Sequence, residues 1–157
     1  MKMTVKEVAT LTGVSVRTLH YYHREGILIP CEITENKYRY YDTANLAQLQ
    51  NILFLRELDF SIQEIKGILA DPNYDEMDAF KKQRHLLLLK RHRLDKLIAL
   101  LDQKLEGEKT MNFKPFDMSE IEANKKQYET EVKTRWGKTD AYRQSQQKTN
   151  GYSPDQW

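Results

Sequence analysis

The chemically capable side chains of this sequence gather near its start. The run Ser15-Val16-Arg17-Thr18-Leu19-His20-Tyr21-Tyr22-His23-Arg24 sets cations, hydroxyls and aromatic rings at helical spacing. A helix that turns Val16 and Leu19 inward leaves Arg17, Thr18, His20 and Tyr21 outside. Such a face suits a nucleic-acid groove. Arginine can span a guanine edge bidentately or grip a phosphate, and Ser15 with the open amides of a helix start can bind phosphate. A second cluster, Tyr38-Arg39-Tyr40-Tyr41, follows the polar stretch Thr34-Glu35-Asn36-Lys37. Tyr38 and Arg39 fall where a hairpin wing could clamp a duplex backbone. His20 and His23 stand three apart with no third ligand, a weak metal pattern beside the reading as surface or phosphate-facing histidines. Tyr22 reads as core.

These residues need elements to hold them. Thr4 and Glu7 have capping-box spacing before Val5, Val8 and Ala9, so residues 4–12 form a short helix. Gly13 makes a tight turn, Ser15 caps a second helix over 16–24, and Gly26 with Pro30 ends it. This is a helix-turn-helix, a unit whose second helix enters the major groove, although periodicity alone also fits any small helical domain with a glycine turn. Residues 31–41 predict a small β-hairpin. Asp42 or Thr43 caps a helix over 44–58. Ser61 and Glu64 form another capping box, and Asp71-Pro72-Asn73 stops the helix that follows.

A long helix is expected from about Asp78 to Leu105. Arg84, Leu87, Arg91, Leu94, Ile98, Leu101 and Leu105 alternate spacings of three and four, the period of a coiled-coil seam. An intrachain helical hairpin would also use it, but the following segment is short of a matching long apolar helix, which favours a dimer. At 1.5 Å per residue it would be roughly 40 Å long, comparable with the separation of half-site centres on DNA, about 34–36 Å. Residues 108–118 read as a linker. Ser119 and Glu122 cap a helix to about Arg135, Thr139 caps another over 140–149, and Ser153-Pro154 announces one more.

Composition bounds the function. The chain has 157 residues and a formal net charge of +2, too near neutral to argue nucleic-acid binding from bulk charge. Charged residues, 31% of the chain, and a hydrophobic share of 39% suit thin helical structure better than one thick core. The single cysteine, Cys31, excludes an intramolecular disulfide and any multi-cysteine metal site within one chain. The longest apolar run is Leu86–Leu89, far short of the roughly 18 residues of a membrane span, and no signal pattern opens the chain. A soluble, cytoplasmic protein that does not engage a membrane is the expectation. No phosphate-binding glycine loop, nucleophile motif or metal cluster points to an enzyme, and no cofactor is expected.

From Val5 to Tyr41 the chain resembles the N-terminal domain of the MerR family of transcription regulators. The residues that carry the resemblance are Thr12-Gly13-Val14-Ser15, Thr18-Leu19-His20-Tyr21-Tyr22-His23, Gly26-Ile27-Leu28-Ile29-Pro30 and Asn36-Lys37-Tyr38-Arg39-Tyr40-Tyr41. Phe60-Ser61-Ile62-Gln63-Glu64-Ile65 continues it. Three positions depart from the family pattern: His20 replaces an arginine, His23 an acid and Lys37 the wing glycine, which asks for strain at positive φ or another turn geometry. The resemblance implies a mainly α fold with a winged helix-turn-helix head over 1–77 and a dimerisation helix over 78–106 that pairs antiparallel with its twin. It implies DNA contact by Thr4, Ser15, Val16, Arg17, Thr18, His20, Tyr21, Tyr38, Arg39 and Tyr41, and dimer contact by Leu87, Leu94, Ile98, Leu101 and Leu105. The implied activity is that of a homodimeric activator on double-stranded promoter DNA. It distorts an over-long spacer and so acts on RNA polymerase indirectly, with contact energy offsetting the deformation.

Residues 131–145 and 152–157 resemble the opening of a TipA-type drug-binding domain, a type known for thiopeptide antibiotics. The whole chain is similar to multidrug-response activators of the family that carry this domain. Residues 107–157 would then be a linker and a partial, all-α effector domain, with an incomplete pocket for a small-molecule inducer. Its aromatics Phe113, Phe116, Trp136, Tyr142, Tyr152 and Trp157 are expected to pack rather than stack on drug. The family's cysteine-based metal and redox sensing is disfavoured. Two other functions stay open: an antibiotic-binding or sequestering protein, and a DNA-bending accessory protein.

Overall fold

The computed structural model describes residues 1–136. The helices expected over 140–149 and from Ser153 lie outside the described residues. The described chain forms two compact units, one over Met1–Ala70 and one from Asp71 onward.

The first unit begins with a strand β1 (Met3–Thr4) that runs straight into helix α1 (Val5–Thr12). Thr4 serves both. Its backbone lies opposite Tyr40 in the sheet, and its hydroxyl accepts from the Glu7 amide while the Glu7 carboxylate accepts from the Thr4 amide. Gly13 closes α1 at φ 78°, a left-handed conformation that favours glycine. Ser15 then caps α2 (Val16–Arg24). Strands β2 (Glu32–Ile33) and β3 (Arg39–Tyr41) form the expected hairpin. The sheet is antiparallel in the order β1-β3-β2, with Met3 opposite Tyr41 and Glu32 opposite Tyr40. The third strand went unforeseen because two residues carry no readable alternation.

The hairpin loop accepts strain. Lys37 donates its amide N–H to the Thr34 carbonyl and sits at φ 64°, and the Thr34 N–H donates to the Tyr38 carbonyl. That is a turn closed by one left-handed residue, the bulged-hairpin geometry that glycine normally supplies.

Helices α3 (Thr43–Glu57) and α4 (Ile62–Leu69) complete the unit, each opened by a capping box, Asp42 with Asn45 and Ser61 with Glu64. Val8, Leu19, Tyr41, Leu49, Ile52, Leu55, Phe60 and Ile65 form its core.

The second unit is a helical hairpin. Helix α5 (Glu76–Leu105) starts two residues earlier than expected, because the Asp75 carboxylate accepts from the amides of Met77 and Asp78. Helix α6 (Ser119–Trp136) packs back on it. The expected Ser119 cap is displaced by Asp117, whose carboxylate accepts from the Ser119 amide and hydroxyl. Within the expected linker, Lys114–Phe116 makes a 3-10 turn with Pro115 buried. Lys82 of α5 pairs with Asp78 at 2.9 Å and with Glu131 of α6, and its ammonium lies 5.4 Å from the Tyr128 ring centre. The packing is antiparallel and reaches the first half of α5. Further along, Leu94, Ile98, Leu101 and Leu105 are 47%, 56%, 63% and 86% exposed, so the aliphatic end of the seam is left open within one chain. Leu87 is half-buried.

Candidate nucleic-acid interface

Five residues fix α2 from behind. Leu19 and Tyr22 are buried in the core. The chain beyond its C-terminus is held by amides of α3: Asn45 donates to the Ile29 carbonyl at 2.7 Å and Gln48 to that of Ile27 at 3.3 Å. Gln63 of α4 donates to the carboxylate of Glu25, the C-cap of α2, at 3.2 Å. With one side rigidly seated, the other presents a fixed pattern.

That pattern begins at the helix start. Ser15 is exposed, accepts from the Thr18 amide at 3.0 Å and donates to or accepts from the Thr18 hydroxyl at 2.9 Å. Arg17 is exposed beside it, and Val16 and Thr18 are half-buried. Tyr21 is half-buried, with its ring 6.3 Å from that of Tyr22 and the Arg24 guanidinium 5.8 Å from its centre. On the wing, Tyr38 is 65% exposed. Thr4 stands half-buried at the β1–α1 junction.

Two expected contact residues are placed differently. Tyr41 is fully buried, because strand alternation turns its ring into the core opposite Met3; its hydroxyl has no hydrogen-bond partner among the described residues. Arg39 does not reach out from the wing. Its Nε–H donates to Nδ1 of His23 at 3.0 Å and its Nη1–H to Nε2 of His20 at 3.2 Å. Arginine has only donors, so both ring nitrogens accept and both imidazoles are neutral in this arrangement. Partial burial holds each histidine below its ordinary value, and the Arg39 cation lowers it further.

His23 was legible as an odd substitution, and its link to Arg39 was not, because the two lie 16 residues apart and meet only once the wing folds. Cys31 is exposed, its thiol on the Tyr40 carbonyl at 3.3 Å. Among the described residues there is no group of three or more His, Cys, Asp or Glu that could hold a metal, and no helix long and apolar enough to cross a membrane.

Comparison with known proteins places this geometry. Residues 3–71 match the model of the MerR HTH family regulatory protein, residues 46–106 that described as MerR, DNA binding, and residues 128–157 the TipAS antibiotic-recognition domain. The HTH-type transcriptional activator mta of Bacillus subtilis is 39% identical over the whole chain, and the HTH-type transcriptional activator TipA of Streptomyces coelicolor 40%. The chain spans 63% of the length of each. The crystal structure of the HTH-type transcriptional regulator SkgA from Caulobacter crescentus superposes with a TM-score of 0.64 at 36% identity, covering 81% of this chain and 96% of that one. The head and the helix after it match these family models, the fold is shared with SkgA, and the chain belongs to the MerR family.

Proposed function

We propose that this chain is a dimeric, sequence-specific, double-stranded DNA-binding transcription regulator of the activator type. One observation carries the reading: the exposed start of α2, with Ser15 and Arg17, stands on a rigidly anchored helix in a head that matches the family from residue 3 to residue 71. In this reading residues 1–77 are the head, 78–106 the dimerisation helix and 107–157 a linker with part of an effector domain. Arg17 reads a base edge or grips phosphate, and Ser15 and the first amides of α2 take the adjoining phosphate. Tyr38 at the wing tip contacts the backbone. The open stripe Leu94, Ile98, Leu101 and Leu105 pairs with the same stripe of a second copy, which supplies the second reading head that a palindrome requires. Activation comes from distortion of an over-long promoter spacer, bringing both promoter elements into reach of RNA polymerase. The protein works in the cytoplasm. Selection of duplexes from a random-sequence pool tests this: a palindromic consensus is expected, and recovery of no preferred sequence would contradict it.

The match of residues 128–157 to an antibiotic-recognition domain favours a second reading, in which a small-molecule inducer binds the C-terminal region. Calorimetric titration of the full chain with thiopeptides separates the two; saturable heats would support it. In the first reading promoter activity is expected to be the same with and without drug.

A further inference from the structure

The His20–Arg39–His23 contact joins α2 to the wing through three basic side chains. We propose that it is a proton-operated clasp: with both imidazoles neutral, Arg39 is held on α2, and protonation of either ring releases the guanidinium to a DNA phosphate. The proposal rests on the DNA-binding reading above and assigns His20 and His23 as residues that hold Arg39 when neutral and join it at phosphate when charged.

The geometry sets the sign. Each imidazole offers Arg39 one lone pair. A proton from solvent converts that lone pair into an N–H, removes the acceptor and places a like charge about 3 Å from the guanidinium. Arg39 stays protonated throughout. The groups that act on the rings are all basic: Arg39 from β3, and His23 and Arg24 from α2 on His20; Arg39 on His23. No carboxylate is among them, so among the described residues none compensates an imidazolium. A DNA phosphate would. Acid therefore opens the clasp, and the duplex rewards the opened form with three cations in place of one. Arg39 stands on β3, the central strand, so its backbone is fixed and only its side chain needs to move.

Two measurements on the intact chain test this. Without DNA, imidazole titration by NMR follows His20 and His23, with His85 and His92 of α5 as internal references. Arg39→Gln is expected to move the titration of both His20 and His23 upward and leave the references unchanged; unchanged titration of both would overturn the clasp. With a duplex recovered from a random-sequence pool, binding is expected to be about tenfold tighter near pH 5.5 than near pH 7.5, with the salt slope steeper by about 2–3, at roughly 0.9 per added phosphate contact. The double variant His20→Gln, His23→Gln keeps amide oxygens that accept from Arg39 and carries no titratable proton. It should bind with one slope at both pH values, and equal pH dependence in parent and variant would overturn the proposal. A chain that bound no duplex at any pH would sink the DNA-binding reading, while the titration without DNA would still judge the clasp.

Discussion

Arg17 is the exposed cation at the start of a helix whose back is fully seated, so its substitution reports on function with little effect on folding. Arg17→Ala is expected to weaken specific binding by about 1–3 kcal/mol and relax preference at one base position if it reads a base; a uniform loss with a salt slope smaller by about one would assign it to phosphate. Competition binding with single-base operator variants distinguishes these. Lys37 makes a prediction of opposite sign. A left-handed lysine costs about 1–2 kcal/mol, and glycine costs about 0.5–1 kcal/mol more unfolded-chain entropy. Lys37→Gly should stabilise the protein by roughly 0.5–1 kcal/mol in urea unfolding. The histidines tie stability to pH. Their folded values lie below the ordinary one, so the unfolded chain binds protons first. Their contribution is present above the ordinary histidine range and is lost as pH falls through it, which melting curves across that range will show; Arg39→Gln should flatten that dependence. At this scale the sequence was informative wherever a residue type had one local use. Ser15 as a cap and Tyr22 as core followed from neighbours within one helix. Tyr41 and Arg39 did not, because whether a wing side chain faces duplex or core depends on a pairing with Met3 and on a contact across 16 residues.

The elements were more legible than the contacts between them. Thr4 with Glu7 and Ser61 with Glu64 mark helix starts by two reciprocal bonds, and both boxes are formed. Ser61 is also buried, so its loss leaves the Glu64 amide without its capping acceptor. Ser61→Ala should cost about 1 kcal/mol of stability, at the centre of the range for capping residues. Elsewhere the nearest plausible cap was the wrong one. Asp117 takes both the amide and the hydroxyl of Ser119, the residue expected to cap α6, and Asp75 takes the amides of Met77 and Asp78, so α5 opens before the expected Asp78. The two-residue strand β1 had no period to read and exists only because β3 offers it an edge. The return of α6 onto the start of α5, the intrachain hairpin that the seam spacing also allowed, was disfavoured because it depends on Lys82, Tyr128 and Glu131, residues with ordinary solvent-facing types.

At the scale of the whole molecule, α5 divides its work between two faces. Lys82 joins its first half to Glu131 and Tyr128 of α6 on a face where Ala79, Gln83 and Leu86 are buried, while the seam residues Arg84 and Arg91 are exposed and the aliphatic end of the seam is left open. Four large apolar side chains on one stripe call for a partner, and an identical stripe on a second copy satisfies it. Replacing two of them with aspartate places charge in that seam. Leu94→Asp with Leu101→Asp should weaken association by more than about 3 kcal/mol, two buried leucines' worth, and leave the fold of the head, read by circular dichroism and by melting, unchanged.

The most direct test of the central claim is the stoichiometry of the complex with DNA. Sedimentation of the chain with its selected palindromic duplex should show two protomers per duplex, and the Leu94→Asp, Leu101→Asp chain should fail to bind at the concentration that saturates the parent. A single protomer holding the palindrome with undiminished affinity would contradict the account.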